Sequence, residues 1–120
     1  METTHAEPSL LARQAADYPR VHRSRRNLLL HAITNPMFLV GNVLAVLEPF
    51  FGAWWLALAG LVAMATAMIA QGIGHRGEVE PPLPFRSGAE AVARIFAEQW
   101  IAFPRFVRTG GFARAWRAGE

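Results

Sequence analysis

Three of the four histidines in this 120-residue chain stand where they could do chemistry. His22 precedes a long apolar run, His31 lies just inside it, and His75 closes a second one. His31 and His75 each have a polar residue four positions earlier, Asn27 and Gln71. Residues four apart share a helix face, so each pair forms a polar stripe. Neutral imidazole is the commonest protein ligand for divalent metals. A nitrogen-rich set in a chain without cysteine suits iron, zinc, copper or nickel. Glu78 and Glu80 follow His75 at once and are candidates for a carboxylate ligand, which would give the two-histidine, one-carboxylate set of non-heme iron oxygenases. Alternatively the histidines are hydrogen-bonded structural groups, since none of the spacings is a metal signature of the HExxH kind. Tyr18 is either an anchoring aromatic or a hydrogen-bond partner near His22. His5 belongs to the tail. Dinucleotide, P-loop and nucleophile-elbow motifs are absent, and Ser9, Ser24 and Ser87 have no His/Asp partners at a recognisable spacing.

Two apolar segments must position these side chains. Residues 28–47 form the first, with a length that matches a hydrocarbon core of about 30 Å. Its polar and small residues share one broad helical face: Asn27, His31, Thr34/Asn35, Phe38, Gly41/Asn42 and Ala45. Polar groups within a membrane face a bundle interior; Thr34 and Asn42 are read as packing residues, His31 as functional. Glu48-Pro49-Phe50-Phe51-Gly52 predicts a turn, and Trp54 and Trp55 suit an aromatic belt. Residues 53–73 form the second span, with no charge between Gly52 and Gly74. Counting back from His75 in fours gives Gln71, Ala67, Ala63 and Ala59, a small-residue stripe that permits close helix approach. The short connection predicts an antiparallel transmembrane hairpin. The start of one span then lies beside the end of the other, and His22, His31 and His75 converge at one end. A soluble helical hairpin is the alternative, disfavoured by the long charge-free run.

The flanks complete an all-α membrane protein with a single domain. Met1 to Pro8 reads as a disordered start, and residues 1–17 hold this tail and a short helix. That helix is capped by Ser9, runs to Tyr18 and is ended by Pro19. The N-terminus lacks the order of a secretory signal. All 12 basic residues are arginine. Arg20, Arg23, Arg25 and Arg26 precede the first span, Arg76 and Arg86 follow the second, and the turn carries only Glu48. The positive-inside rule puts both termini in the cytoplasm, with a bacterial inner membrane as the expected location. After a proline-rich link, Ser87 and Glu90 form a capping box for an amphipathic helix over 88–103. Val92, Ile95, Phe96, Gln99, Trp100 and Phe103 make its apolar face and Glu90, Arg94 and Glu98 its polar one, which suits the membrane interface. Pro104 should break or kink it, leaving residues 104–120 as a basic tail on anionic lipid and not on nucleic acid.

The pattern Tyr18…His22-x4-Asn27-x3-His31, with Ile69-Ala70-Gln71-Gly72-Ile73-Gly74-His75 followed by acidic residues and prolines, resembles the Mpo-like family of small membrane proteins. The likeness runs from about Tyr18 to Trp116. The family's yeast member is an iron(II)-dependent dioxygenase that shortens 2-hydroxy fatty acids by one carbon. The resemblance implies Fe(II) bound by His22, His31 and His75, with Asn27 and Gln71 as their polar partners. It further implies a membrane lipid or fatty acid substrate, O2 as co-substrate, and Arg23, Arg25, Arg26 or Arg76 to steer the carboxylate. The family's glutamate follows the Gly-His histidine by four positions; here that place is Val79, flanked by Glu78 and Glu80. The competing class is a non-catalytic structural protein whose polar stripes serve packing and homo-oligomerisation. A small metal or proton transporter is a third, disfavoured because two spans form no pathway without assembly.

Overall fold

The computed structural model describes residues 6–119. His5, most of the start read as disordered, and Glu120 lie outside them. The elements are α1 (Leu10–Val21), α2 (Arg25–Phe51), α3 (Trp54–Arg76), α4 (Gly88–Ala97), a π-helical turn (Glu98–Ala102), α5 (Phe103–Arg108) and α6 (Gly111–Ala118). No strand occurs among the described residues.

Helices α2 and α3 are both long and apolar enough to cross a membrane. Only 28% of the most apolar stretch of α2 and 17% of that of α3 is buried within the chain. The core helix of a soluble protein would be mostly covered. Here Ile33, Val40, Val46, Leu61, Val62 and Ile69 all point outward.

The expected turn at 48–52 is much tighter. Helix α2 absorbs Glu48, Pro49, Phe50 and Phe51, and only Gly52 and Ala53 separate it from α3. Gly52 adopts the left-handed conformation (φ 62°) and its N–H donates to the Glu48 carbonyl at 2.9 Å. That is a glycine helix stop, whereas Pro49, three residues earlier, lies inside the helix and does not end it.

The two helices meet backbone to backbone at Gly41 and Gly60, which lie off the alanine stripe. A Cβ on Gly60 would lie 2.5 Å from the Gly41 carbonyl oxygen, and one on Gly41 2.7 Å from that of Gly60. Ala67 is buried, Ala63 half-buried and Ala59 exposed. The helical repeat explains the difference. Four steps of four residues rotate Ala59 about 160° away from the direction of His75. The buried positions Gly60, Ala67, Gln71 and Gly74 keep an average spacing near the true repeat.

The flanking elements differ from expectation at both prolines. Helix α1, capped by Ser9, continues through Pro19 to Val21, because the buried Tyr18 ring packs on Phe106 and secures the last turn. Ser87 caps α4 as expected, but the chain stays helical past Pro104. In the π-helical turn Phe103 N–H reaches back five residues to the Glu98 carbonyl. The next bond of that ladder would come from Pro104, which has no N–H. Asn35 Nδ2 takes its place, donating to the Gln99 carbonyl at 2.8 Å. Residues 104–120 are therefore not a free tail over the part described. Tyr18, Leu28, Ala102, Phe103 and Phe106 form the apolar core, and Arg25 Nε donates to the Trp116 carbonyl of α6 at 2.8 Å. The expected apolar face of 88–103 is split: Gln99 and Phe103 are buried, while Val92 and Trp100 are exposed.

Candidate metal centre

Four segments each bring one side chain to a common point. His22 caps the end of α1, His31 lies in the second turn of α2, His75 in the last turn of α3, and Glu98 opens the π-helical turn. One ligand atom from each lies within 4.8 Å of all the others, so the group can hold a metal ion. His22 and His31 are 1% and 0% exposed. The three imidazoles stand nearly perpendicular to one another, with interplanar angles of 86°, 78° and 84° and centroids 4.6–4.9 Å apart. Edge-on packing of this kind lets ring nitrogens converge.

The hydrogen bonds decide which nitrogens are free. His22 Nδ1 lies 2.9 Å from the Tyr18 carbonyl oxygen and His31 Nδ1 3.0 Å from that of Asn27. A carbonyl only accepts, so both Nδ1 atoms donate, and in the neutral ring each Nε2 carries a lone pair. Those two Nε2 atoms face each other at 3.3 Å. Glu98 Oε1 lies 3.7 Å from His22 Nε2 and 3.4 Å from His31 Nε2. Two lone pairs and a carboxylate oxygen pointed at one another repel unless a cation or proton sits between them. A four-coordinate shell with metal–ligand distances of about 2.0–2.1 Å spaces its ligand atoms about 3.3–3.4 Å apart. The donor set, and the spacing of the His22, His31 and Glu98 atoms, fit a divalent metal. The backbone acceptors behind the rings are the partners that orient metal-binding histidines elsewhere. His75 Nδ1 is buried without a partner in hydrogen-bond geometry.

The protonation state of His22 agrees. Burial, and then the neighbouring charge of His31, lower the His22 pKa from 6.5 to about 3, so its imidazole is neutral at physiological pH. Burial works to raise the Glu98 pKa, but positive charge on the facing histidines, His31 foremost, outweighs it when those rings are protonated, and the net shift is downward, the same direction a metal ion in their midst would give. Burial and the adjacent Glu98 raise that of Tyr18. Its phenol keeps its proton and donates to Glu98 Oε1 at 3.2 Å, while its ring stacks on His22 with centroids 3.8 Å apart.

The structure thus brings His22, His31 and His75 together with Tyr18 and Asn27 beside them. The carboxylate is Glu98, not Glu78 or Glu80. Glu78 caps α2 instead: its carboxylate accepts from Arg23 N, Ser24 N and Asn27 Nδ2 at 2.9–3.0 Å. A negative charge at a helix N-terminus is favourable, and this one ties the end of α3 to the start of α2. Gly74 permits the approach, since a Cβ there would overlap Asn27 Oδ1. Glu80 lies 3.7 Å from Arg23 and 3.9 Å from Arg20. Gln71 hydrogen-bonds to none of the histidines. It belongs to a buried amide cluster, donating to Thr34 Oγ1 and Gln99 Oε1 at 3.0 Å and accepting from Gln99 Nε2 at 2.6 Å. Asn35 Nδ2 also donates to Gln99 Oε1, at 3.0 Å.

A cavity of about 520 Å³ opens beside the group. His22, His75, Glu98 and Tyr18 form one part of its wall; Leu10, Leu83, prolines, four arginines and the carboxylates Asp17, Glu80 and Glu90 are in the rest. The cavity arginines are Arg13, Arg20, Arg86 and Arg94; Arg23, Arg25, Arg26 and Arg76 are not among its lining residues. No family model, curated protein or solved structure matches this chain.

Proposed function

We propose that this chain is a membrane-embedded iron(II) dioxygenase that shortens 2-hydroxy fatty acids by one carbon. In this reading α2 and α3 form an antiparallel transmembrane pair, with the metal group and both termini on the cytoplasmic side. One observation carries it: buried histidine nitrogens and a carboxylate converge, lone pairs inward, on the wall of a cavity. The choice of iron and of substrate comes from the resemblance to the Mpo-like family, and a nitrogen-rich donor set with one carboxylate is compatible with iron. Outward-facing apolar side chains on both long helices support the membrane location. Arginines at the site end, with none at the Gly52 turn, support the orientation.

His22, His31, His75 and Glu98 would hold the iron, which when bound supplies a redox-active Lewis acid for O2 and the 2-hydroxy acid. The overall change balances as R–CH(OH)–COOH + O2 → R–COOH + CO2 + H2O. The chain's own side chains set the stage for it. Tyr18 keeps its proton on the phenol oxygen, orients Glu98 through that hydrogen bond, and holds His22 by stacking. The Tyr18 and Asn27 carbonyls keep the Nδ1 protons on His22 and His31, leaving each Nε2 free. Leu10 and Leu83 give the alkyl chain an apolar wall.

Elemental analysis of protein purified in detergent under reducing conditions tests the reading. About one iron per chain is expected, together with O2-dependent conversion of a 2-hydroxy fatty acid to the acid one carbon shorter. His75→Ala should lose both while staying in the membrane pellet after carbonate washing. Wild-type protein that binds no iron, or binds it and turns nothing over, would overturn the reading.

A further inference from the structure

We propose that Arg13, assisted by Arg86, forms a capture site for the carboxylate head of a single-chain amphiphile in the outer part of the cavity. It is separate from the metal group and rests on the reading of that cavity as the substrate's route. Charge pairing around the cavity singles these two residues out. Arg20 is bound to Asp17 at 2.6 Å. Arg94 pairs with Glu90 at 3.5 Å and donates to the Leu83 and Pro84 carbonyls. Glu98 is committed to Tyr18 and the histidines. Among the described residues no carboxylate lies within ion-pair distance of Arg13 or Arg86, although both line the cavity.

Arg13 is more than a solvated surface charge. It is half-buried, and its Nε is closed off from solvent with no hydrogen-bond partner. A buried donor without a partner is costly and rare in native structures. A half-buried guanidinium that makes no hydrogen bond or ion pair among the described residues matches the planar, two-oxygen geometry of a carboxylate.

Arg13 stands nine residues before His22, about 13–14 Å away along α1. Side chains on a helix lean toward its N-terminus, which carries the guanidinium further from the metal group. An acid held there does not touch the metal ligands. It is caught by its head at the outer site and then passes inward, so Arg13 governs capture and not turnover.

Equilibrium binding of decanoate to metal-free, detergent-solubilised protein tests this, with decanol and decyl phosphate as comparison ligands. Arg13→Gln should weaken decanoate binding about tenfold or more, the value of a charge-assisted hydrogen bond. Arg13→Lys should lose less, and Arg86→Gln should act in the same direction should the Arg13 variants fail to fold. Decanol should bind equally to wild type and variants. With the metal restored, Arg13→Gln should hold as much iron as wild type and show a raised KM at unchanged kcat. Undiminished decanoate binding by both Arg13→Gln and Arg86→Gln overturns the proposal. Decyl phosphate held more tightly than decanoate, with the same dependence on Arg13, overturns the carboxylate assignment in favour of a phosphate head. Because the binding assay contains no metal, absence of iron or turnover defeats the proposed function and leaves this result standing.

Discussion

The two ends of the α2–α3 pair are closed by opposite means. Near the middle and toward the Gly52 turn, the helices meet backbone to backbone at Gly41 and Gly60. Dispersion and the absence of side chains suffice there, as in small-residue crossings within membranes. At the other end the same helices enclose Asn27, His31, Thr34, Asn35 and Gln71, all 5% exposed or less. Two helices cannot satisfy that many polar groups by themselves. A third element supplies partners: Gln99 serves Asn35 and Gln71, and Glu98 faces the histidines, while Asn27 Oδ1 and His75 Nδ1 stay unpaired. An apolar crossing needs only a partner of the right shape. A buried polar end needs a partner for every donor and acceptor, and this is why the segment after α4 packs onto α2 and does not trail away.

The largest expected effects would separate these two ends. His31→Ala should abolish metal binding, measured by elemental analysis, and leave the Gly41–Gly60 crossing intact. Gly60→Leu should do the reverse in the first instance. Its side chain cannot fit against a carbonyl that already lies 2.5 Å from an ideal Cβ. Overpacking of this kind costs about 1–3 kcal/mol. The variant should melt earlier in detergent yet retain stoichiometric metal at low temperature. If Gly60→Leu loses metal as completely as His31→Ala does, the two ends are one cooperative unit and the contrast fails.

A finer test lies within the polar end. Tyr18→Phe keeps the ring that stacks on His22 and removes only the hydroxyl that donates to Glu98. Loss of such an outer partner lowers metal affinity by about 10–100-fold, and the lower part of that range fits a bond of 3.2 Å. Competition with a chelator would measure it. An unchanged affinity would mean that Glu98 is held by the backbone of the π-helical turn alone.

Much of this end was legible in the chain. The stripes Asn27/His31 and Gln71/His75 placed two histidines on facing helices, and the tight link placed their ends side by side. His22 followed because α1 leads directly into α2. Glu98 was hidden for a specific reason. On an ideal α-helix Glu90, Arg94 and Glu98 make one polar face, and Gln99 falls on the apolar one. The structure turns both Glu98 and Gln99 inward, toward different partners, where the helix slips into π geometry. The signal is Pro104, which withholds an N–H five residues after Gln99; a proline there suggests a break or kink in the helix, and the structure shows a shift in the ladder instead. Glu78, one of the two candidate carboxylates, serves elsewhere for the opposite reason. Proximity to His75 along the chain suggested a ligand, while the free N–H groups at the start of α2 were a stronger attraction for its charge. The four-residue count that led to Ala59 failed through accumulated drift from the helical repeat.

The smallest effect expected is one of acidity, and it too should touch only one end. In the metal-free protein burial holds the His22 pKa near 3, against 6.5 in an exposed setting. An opened chain therefore binds a proton that the closed one refuses. His22 contributes its full stability above 6.5, and that contribution falls as pH drops toward 3. Glu98, whose pKa is lowered on folding, acts in the same direction at lower pH, because its opened form takes up a proton first. By linkage the His22 loss should be roughly 1 kcal/mol at pH 6 and grow with further acidification. Hydrogen exchange resolved along α2 measures it. Protection should fall on acidification in the first turns, around Asn27 and His31, and stay level, after correction for intrinsic exchange, around Gly41, where no titratable group contributes. Bound metal should suppress the loss down to the pH at which protons displace it from the imidazoles. Equal loss of protection at both ends would show that acid acts on the helix pair as a whole. No loss at either end would show that the three imidazoles already share a proton at neutral pH, which would relieve the repulsion of their lone pairs without an ion.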